Sequence, residues 1–563
     1  MAKQSKIVII GGGACGPKTA ARARRLDASA QITMLQDEEL ISYAACGLPY
    51  YISNVVKSHN ALLVRDAAAF KKISNVDVLT ATRVDRIDRS AHRIDVTSLA
   101  EGRHYSIDYD KLVIATGASP VIPPIKGIDL KGVHVLKRVP DADEIKVLIN
   151  ESASKKAVVV GAGLIGVEMV EALTARGLKV TVVEALSKVL PGILDEEISD
   201  LLADHITSKG ATLKLGQKVV EFKGDNNRVS HVITDKETLE ADVVIFAIGV
   251  RPNSNLAKEA GLEIGIFGDI AVNDYLQTSD PDIFAGGDCV ANVSIITGKK
   301  MFVPMGSSAN KHGHVIAANI TGGRERFPGI VGTACVKVFA FNTGRVGLGE
   351  TQALEAGFEV VTALISNHDK PTYFPGSKDV IIKLIVDKKT RRILGGQGTG
   401  PGDVIKRIDV LATGITAGMT IDTLANLDLA YAPPYNTSLD VLHHTANLVR
   451  NKLEGRTASI SSDAAKKKIA DGADFVLLDV RSEWESDNTW LEAPQVHLLP
   501  QPQLHDEMDK LDKNAETVVF CLQGNRAYQS SCTLKGAGFT DVKFVEGSLI
   551  CWGKDGVCGE PVL

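Results

Sequence analysis

Two copies of one glycine pattern constrain this chain more than any other feature. In "KIVIIGGGACGPKTAARARRLD" an apolar strand runs into Gly11, Gly13 and Gly16 and then into an alanine-rich helix. In "KAVVVGAGLIGVEMVEALTARGLKVTVVE" the same order returns with Gly161, Gly163 and Gly166. A G-x-G-x-x-G set between a strand and a helix supplies a tight turn, a close backbone approach to a pyrophosphate and close helix–strand packing, with the helix N-terminus facing the phosphates. A single copy is weak evidence, because a glycine turn also serves nucleotide-free α/β units. Two copies predict two Rossmann-like dinucleotide-binding domains in an α/β chain.

The strand after the second copy ends at Glu184, 18 residues past Gly166. A carboxylate there accepts both ribose hydroxyls of NADH and repels a 2′-phosphate, so NADH is expected over NADPH. At the matching place after the first copy stand Gln36 and then Asp37. Its ribose contact is expected from a neutral amide or from a position shifted by one.

At 563 residues the chain has room for three or four domains. A hydrophobic share of 44%, a charged share of 23% and a net charge of −5 fit a soluble globular protein and give no basis for nucleic-acid binding. No apolar run approaches the roughly 18–20 residues that span a bilayer, and the first strand begins at Lys6, so a cytoplasmic protein without a signal peptide is expected. The eight cysteines form no C-x-x-C pair and are expected to be reduced. Cys551 and Cys558 lack a companion histidine pair, and no metal is assigned.

Three further stretches, "DKLVIATGASP" (110–120, with Ala115, Thr116 and Gly117), "VVIFAIGVRPNSNL" (243–256, with Gly249) and "IFAGGDCV" (283–290, with Asp288), resemble motifs of the two-dinucleotide-binding-domain flavoproteins. The resemblance covers about residues 6–325. It implies FAD at the first glycine site, with Asp288 on its ribityl chain, and NADH at the second. Residues 1–120 and 248–325 would form the FAD-binding domain, with the NADH-binding domain, 121–247, inserted between them.

"SYAACGLPYY" resembles the redox loop of the single-cysteine pyridine nucleotide–disulfide oxidoreductases, which include coenzyme A disulfide reductase, persulfide reductases and NADH oxidase. The next cysteine after Cys46 is Cys289, so no local disulfide can close. Cys46 is expected to cycle through a mixed disulfide with a small thiol, a persulfide or a sulfenic acid, and a helix starting near Gly47–Pro49 is expected to lower its thiol pKa. Ala45 stands where family members usually place asparagine.

By the same resemblance Tyr373 in "PTYFPG" and Tyr431 in "LAYAPPYNTSLDVLHHTANL" join the active site, one subunit's Tyr431 facing the other's Cys46 in a homodimer with shared active sites. Arg22, Arg25, Ser42 and Lys71 are its candidate contacts to coenzyme A, as substrate or bound thiol. Residues 326–451, strands followed by helices, resemble the family's α+β dimerisation domain, and 452–460 reads as a linker.

Residues 461–563, with "DFVLLDVRSEWE" and "TVVFCLQGNRAYQSSCTLKGAGF", resemble an α/β rhodanese domain. Its central feature is C-x4-R, Cys521 to Arg526, a loop whose inward backbone amides would stabilise a thiolate or a persulfide sulfur. Cys532, 11 residues on, is expected in the core. The segment "SDNTWLEAPQ" departs from the usual rhodanese pattern.

These readings converge on an FAD- and NADH-dependent reductase of coenzyme A persulfide, polysulfide or disulfide, acting through Cys46 and coupled to a sulfurtransferase at Cys521. The rival readings are an NADH oxidase using oxygen, and a sulfurtransferase whose flavin part senses redox state.

Overall fold

A computed structural model describes residues 4–553 and 556–559. The chain divides into two compact units, Met1–Ala185 with Gln217–Ile330, and Leu186–Gly216 with Val331–Leu563.

In the first unit the strand Lys6–Ile10 is central to a five-stranded parallel sheet, flanked by Gln31–Leu35 and then Asp77–Leu79 on one side and by Lys111–Ile114 and then Ile283–Ala285 on the other. Because strand side chains alternate, "KIVII" serves two cores. Ile7 and Ile9 pack with Ala20, Ala23 and Ile316 on one face, while Val8 and Ile10 pack with Ile94, Leu112 and Leu262 on the other. Each such fully buried side chain contributes about 1.5–3 kcal/mol.

A second parallel sheet runs Lys179–Glu184, Lys156–Val160, Val243–Phe246, Val133–His134. The helices Cys15–Leu26 and Leu164–Ala175 follow their glycine turns directly.

The second unit holds a five-stranded antiparallel sheet in the order Ala334–Val338, Phe341–Gly347, Ile393–Thr399, Asp379–Asp387, Val360–His368. Helices Val404–Thr416 and Val441–Leu453 accompany it. Segment 186–216 joins this unit through Lys383, which is 2% exposed and ion-paired with Asp195 (3.1 Å), Glu197 (3.0 Å) and Glu350 (2.8 Å). A buried ammonium is tolerable only with such partners.

Beyond it lies a five-stranded parallel sheet, Ser459–Ile460, Val542–Val545, Thr517–Phe520, Val476–Asp479, Val496–Leu498. The edge strand Ser459–Ile460 thus takes in the last two residues of the stretch read as a linker. Among the described residues no helix is long and apolar enough to cross a membrane, and no cluster of three or more His, Cys, Asp or Glu could hold a metal ion.

Candidate active sites

The two glycine turns are built alike. Gly11 and Gly161 have φ of +114° and +104°, in the region that favours glycine. A Cβ on Gly11 would lie 2.1 Å from the carbonyl oxygen of Ala115, and one on Gly161 would lie 2.4 Å from that of Ala247. Cβ atoms on Gly16 and Gly166 would strike the carbonyl oxygens of Gly11 and Gly161 at 1.9 and 2.0 Å, so each helix packs on its own turn. Gly13 and Gly163 face open space, which is where a pyrophosphate would approach. Both cradles therefore fit a dinucleotide.

The polar partner of each turn matches as well. Glu184 accepts the N–H of Ala162 at 2.8 Å, and Gln36 Oε1 accepts the N–H of Gly12 at 2.7 Å. The amide thus fills the carboxylate's structural role without a shift in position. Asp37 is exposed and paired with Arg138 at 3.3 Å, and Glu38 takes the same guanidinium at 3.1 Å.

The other motifs close around both turns, Ala247 donating its N–H to Val160 beside the second. Ala115 donates its N–H to Ile10, Thr116 donates its hydroxyl to the Asn253 carbonyl (2.7 Å), and Asn253 N–H reaches Gly117 (2.9 Å). Gly117 and Gly249 both have positive φ. Asp288 is half-buried, with its carboxyl pushed up by desolvation. The turn before it is fixed by His312, a residue that sequence reasoning missed. His312 Nδ1 accepts the Gly287 N–H (3.1 Å) and its Nε2 lies 3.0 Å from Asn292 Oδ1.

Cys46 is exposed, in a short 3-10 turn, Ala45–Gly47, that leads into the helix Leu48–Ile52. The helix starts where expected, but the thiol pKa is raised rather than lowered. Desolvation comes first, followed by the carboxylates of Glu168 and Asp288. Glu168, on the helix Leu164–Ala175, is itself pushed up to about 7 by burial and by Glu171. Its closeness to Cys46 was not legible in the sequence, since nothing in the glycine motif reports which helix face meets the cysteine loop.

Ser42 has φ of +49° and donates its N–H to the Gly12 carbonyl, joining the cysteine loop to the first glycine turn. Of the candidate cations, Arg22 forks onto Glu325 at 2.7 and 3.1 Å. Lys71 pairs with Asp77 at 2.6 Å, and Arg25 is exposed.

In the second unit, Tyr373 and Tyr431 are 73% and 53% exposed, Tyr373 in the loop joining Val360–His368 to Asp379–Asp387. Cys521 directly follows the strand Thr517–Phe520 and is buried. Its sulfur accepts the N–H of Gly524 (3.1 Å), and its own N–H donates to Ser548 Oγ (3.1 Å). Gly524, at φ +100°, is the N-cap of the helix Asn525–Gly536.

Arg526 forks onto Glu485 at 2.6 and 2.7 Å, which pushes that carboxyl down to about 2. Glu485 belongs to a capping box with Ser482 in "RSEWE", the one local signal that could have found it. Cys532 is half-buried.

Comparison with known proteins agrees with this anatomy. Residues 5–313 match the model described as pyridine nucleotide-disulphide oxidoreductase, 333–442 its dimerisation domain, and 461–555 a rhodanese-like domain. An NAD(P)H coenzyme A polysulfide/persulfide reductase of Pyrococcus horikoshii is 36% identical over 79% of this chain and 99% of its own. An NADH oxidase of Methanocaldococcus jannaschii is 35% identical over 80% of this chain and 100% of its own. The solved structure of an NAD-dependent persulfide reductase from A. fulgidus is 43% identical with a TM-score of 0.93, covering 97% of this chain and 100% of that one.

Proposed function

The chain belongs to the pyridine nucleotide-disulphide oxidoreductases, and on that premise we propose that it reduces a coenzyme A persulfide or polysulfide with NADH, its rhodanese domain supplying sulfane sulfur. The observation that carries this reading is the pairing, in one chain, of an exposed free cysteine, Cys46, with a buried one, Cys521, whose sulfur accepts the Gly524 N–H.

Gly11, Gly13, Gly16, Gln36 and Asp288 would hold FAD, and Gly161, Gly163, Gly166 and Glu184 would hold NADH. Bound there, FAD would supply the two-electron chemistry that links NADH to a sulfur–sulfur bond.

The chain's own work is at the thiols. The Cys46 thiolate attacks the outer sulfur of the persulfide, the sulfur–sulfur bond breaks, and coenzyme A leaves as thiolate. Two electrons from NADH then cleave the resulting cysteine persulfide, restoring the thiol and releasing sulfide. Per turn, coenzyme A persulfide, NADH and a proton give coenzyme A, sulfide and NAD⁺. Glu168, pushed up to about 7 and close enough to raise the Cys46 thiol pKa, can hold a proton near the reacting sulfur.

At Cys521 the Gly524 N–H stabilises thiolate or persulfide sulfur, and Glu485 fixes the Arg526 guanidinium. Tyr373 and Tyr431, both exposed, would meet the Cys46 site of a second copy in a homodimer. The setting proposed is the cytoplasm. The second reading, an oxygen-reducing NADH oxidase, is favoured by the relative of that name, but it leaves the Cys521 loop without a role.

The test is sulfide release against NADH consumed for wild type and Cys46→Ser, both with flavin bound. The reading requires one sulfide per NADH and loss of both in the variant. Undiminished sulfide release by the variant would overturn it.

A further inference from the structure

The strand Val360–His368 is an edge of the dimerisation sheet, so every second residue presents a backbone group with no sheet partner. These groups are occupied in sequence. The Thr362 carbonyl accepts Lys452 Nζ (2.6 Å), the Leu364 N–H donates to Glu546 (2.9 Å), and the Ser366 carbonyl accepts Asn525 Nδ2 (3.4 Å). Glu546 and Asn525 both belong to the rhodanese-like part, Asn525 within its cysteine loop and Glu546 in the turn that packs on that loop.

The loop itself is tied to the same place. Gln523 Nε2 donates to Asp379 Oδ1 at 3.2 Å, and His368 Nδ1 stands 3.2 Å from that same oxygen. Of the charged and amide side chains in 521–526, Arg526 pairs within its own domain, with Glu485. Gln523 and Asn525 reach out to the dimerisation sheet.

The other wall of the loop is anchored there too. Ser548, Leu549 and Ile550 hold Cys521 and Leu522 through Ser548 Oγ to Cys521 N–H (3.1 Å), Leu549 N–H to Cys521 O (3.2 Å) and Ile550 N–H to Leu522 O (3.0 Å). Glu546 fastens that turn to Leu364, and its carboxylate also takes Lys452 Nζ (2.5 Å) and Ser459 Oγ (2.6 Å).

We propose that the sulfurtransferase centre is a composite of two domains, in which Asp379 of the dimerisation sheet is a positioning residue that holds the Cys521–Arg526 loop through Gln523. This rests on the reading of that loop as a sulfurtransferase. The physical reason is the loop's shape. Its one amide aimed at the sulfur belongs to Gly524, between Gln523 and Asn525, so freeing those two side chains frees the peptide that carries the N–H. The departure of "SDNTWLEAPQ" from the usual rhodanese pattern is consistent with a rim supplied from outside the domain.

The test is thiosulfate–cyanide sulfur transfer by the full-length, flavin-loaded protein. In that reaction Cys521 takes the outer sulfur of thiosulfate, sulfite leaves, and cyanide removes the sulfur as thiocyanate. Asp379→Ala and Gln523→Ala should each lower kcat about tenfold, with KM for thiosulfate changed less than about twofold, as for loss of one hydrogen bond to a charged group. The double variant should be no slower than either single one. Asp379→Asn, which keeps the acceptor oxygen, should retain at least about half the rate.

Wild-type kcat in Asp379→Ala, or effects that multiply in the double variant, would overturn the proposal. If Asp379→Ala fails to fold, Gln523→Ala remains decisive, since Gln523 is a half-buried loop side chain: a wild-type kcat in that variant would overturn the proposal. A wild-type protein that forms no thiocyanate would instead remove the sulfurtransferase reading itself.

Discussion

The backbone N–H of Gly524 points at the sulfur of Cys521 across 3.1 Å. That geometry depends on φ of +100° at residue 524, and a Cβ there would lie 3.2 Å from the Gly547 nitrogen. Gly524→Ala should therefore turn the N–H away and lower sulfur transfer by about tenfold or more, since a left-handed non-glycine costs roughly 1–2 kcal/mol before any clash. Cys521→Ser should abolish transfer, while reduction of presented coenzyme A persulfide continues at Cys46. Thiocyanate formation and NADH oxidation, measured side by side, check both.

Glu168 and Asp288 raise the Cys46 thiol pKa by their negative charge, after desolvation. Removing one charge stabilises the thiolate. Glu168→Gln should shift the pH profile of Cys46 alkylation, followed on its own peptide by mass spectrometry, to lower pH. An unchanged or alkaline-shifted profile would separate Glu168 from Cys46.

The twin turns can be broken one at a time. A Cβ on Gly161 would lie 2.4 Å from the Ala247 oxygen, and one on Gly11 would lie 2.1 Å from that of Ala115. Gly161→Ala should purify with flavin but lose NADH-driven flavin reduction, whereas Gly11→Ala should lose the flavin. Absorbance of the purified proteins, before and after NADH, distinguishes them.

His312 is 1% exposed and its pKa is lowered to about 4, chiefly by burial. The unfolded chain binds this proton near pH ~6.5, before the folded one does. Stability is thus full above that pH and falls as pH drops toward 4, by about 3 kcal/mol at most. Because His312 Nδ1 accepts the Gly287 N–H next to Asp288, flavin release should rise over the same window. His312→Gln, which can keep both hydrogen bonds without titrating, should flatten that rise, followed as the fluorescence of released flavin.

Much of this site was legible because its chemistry lies in backbone requirements. Gly11, Gly16, Gly161 and Gly166 are positions where a Cβ would overlap a carbonyl, and such demands leave their mark in sequence spacing. Gln36 could be placed but not interpreted. Its likeness to Glu184 appears only when both are seen accepting the N–H after the first glycine.

The residues that were missed act across long sequence distances. Glu168 stands 122 positions from Cys46, and Asp379 stands 144 from Gln523. Side-chain contacts of that span have no periodic or local signature. The thiol pKa of Cys46 was read in the wrong direction for a related reason, since helix position is local but desolvation and distant carboxylates are not.

The most direct test is anaerobic NADH oxidation, followed at the nicotinamide absorbance, with coenzyme A persulfide and coenzyme A disulfide compared in parallel. A persulfide reductase should turn the persulfide over fast, release one sulfide per NADH and turn the disulfide over more slowly. Preference for the disulfide, or oxidation of NADH only when oxygen is readmitted, would rule that activity out.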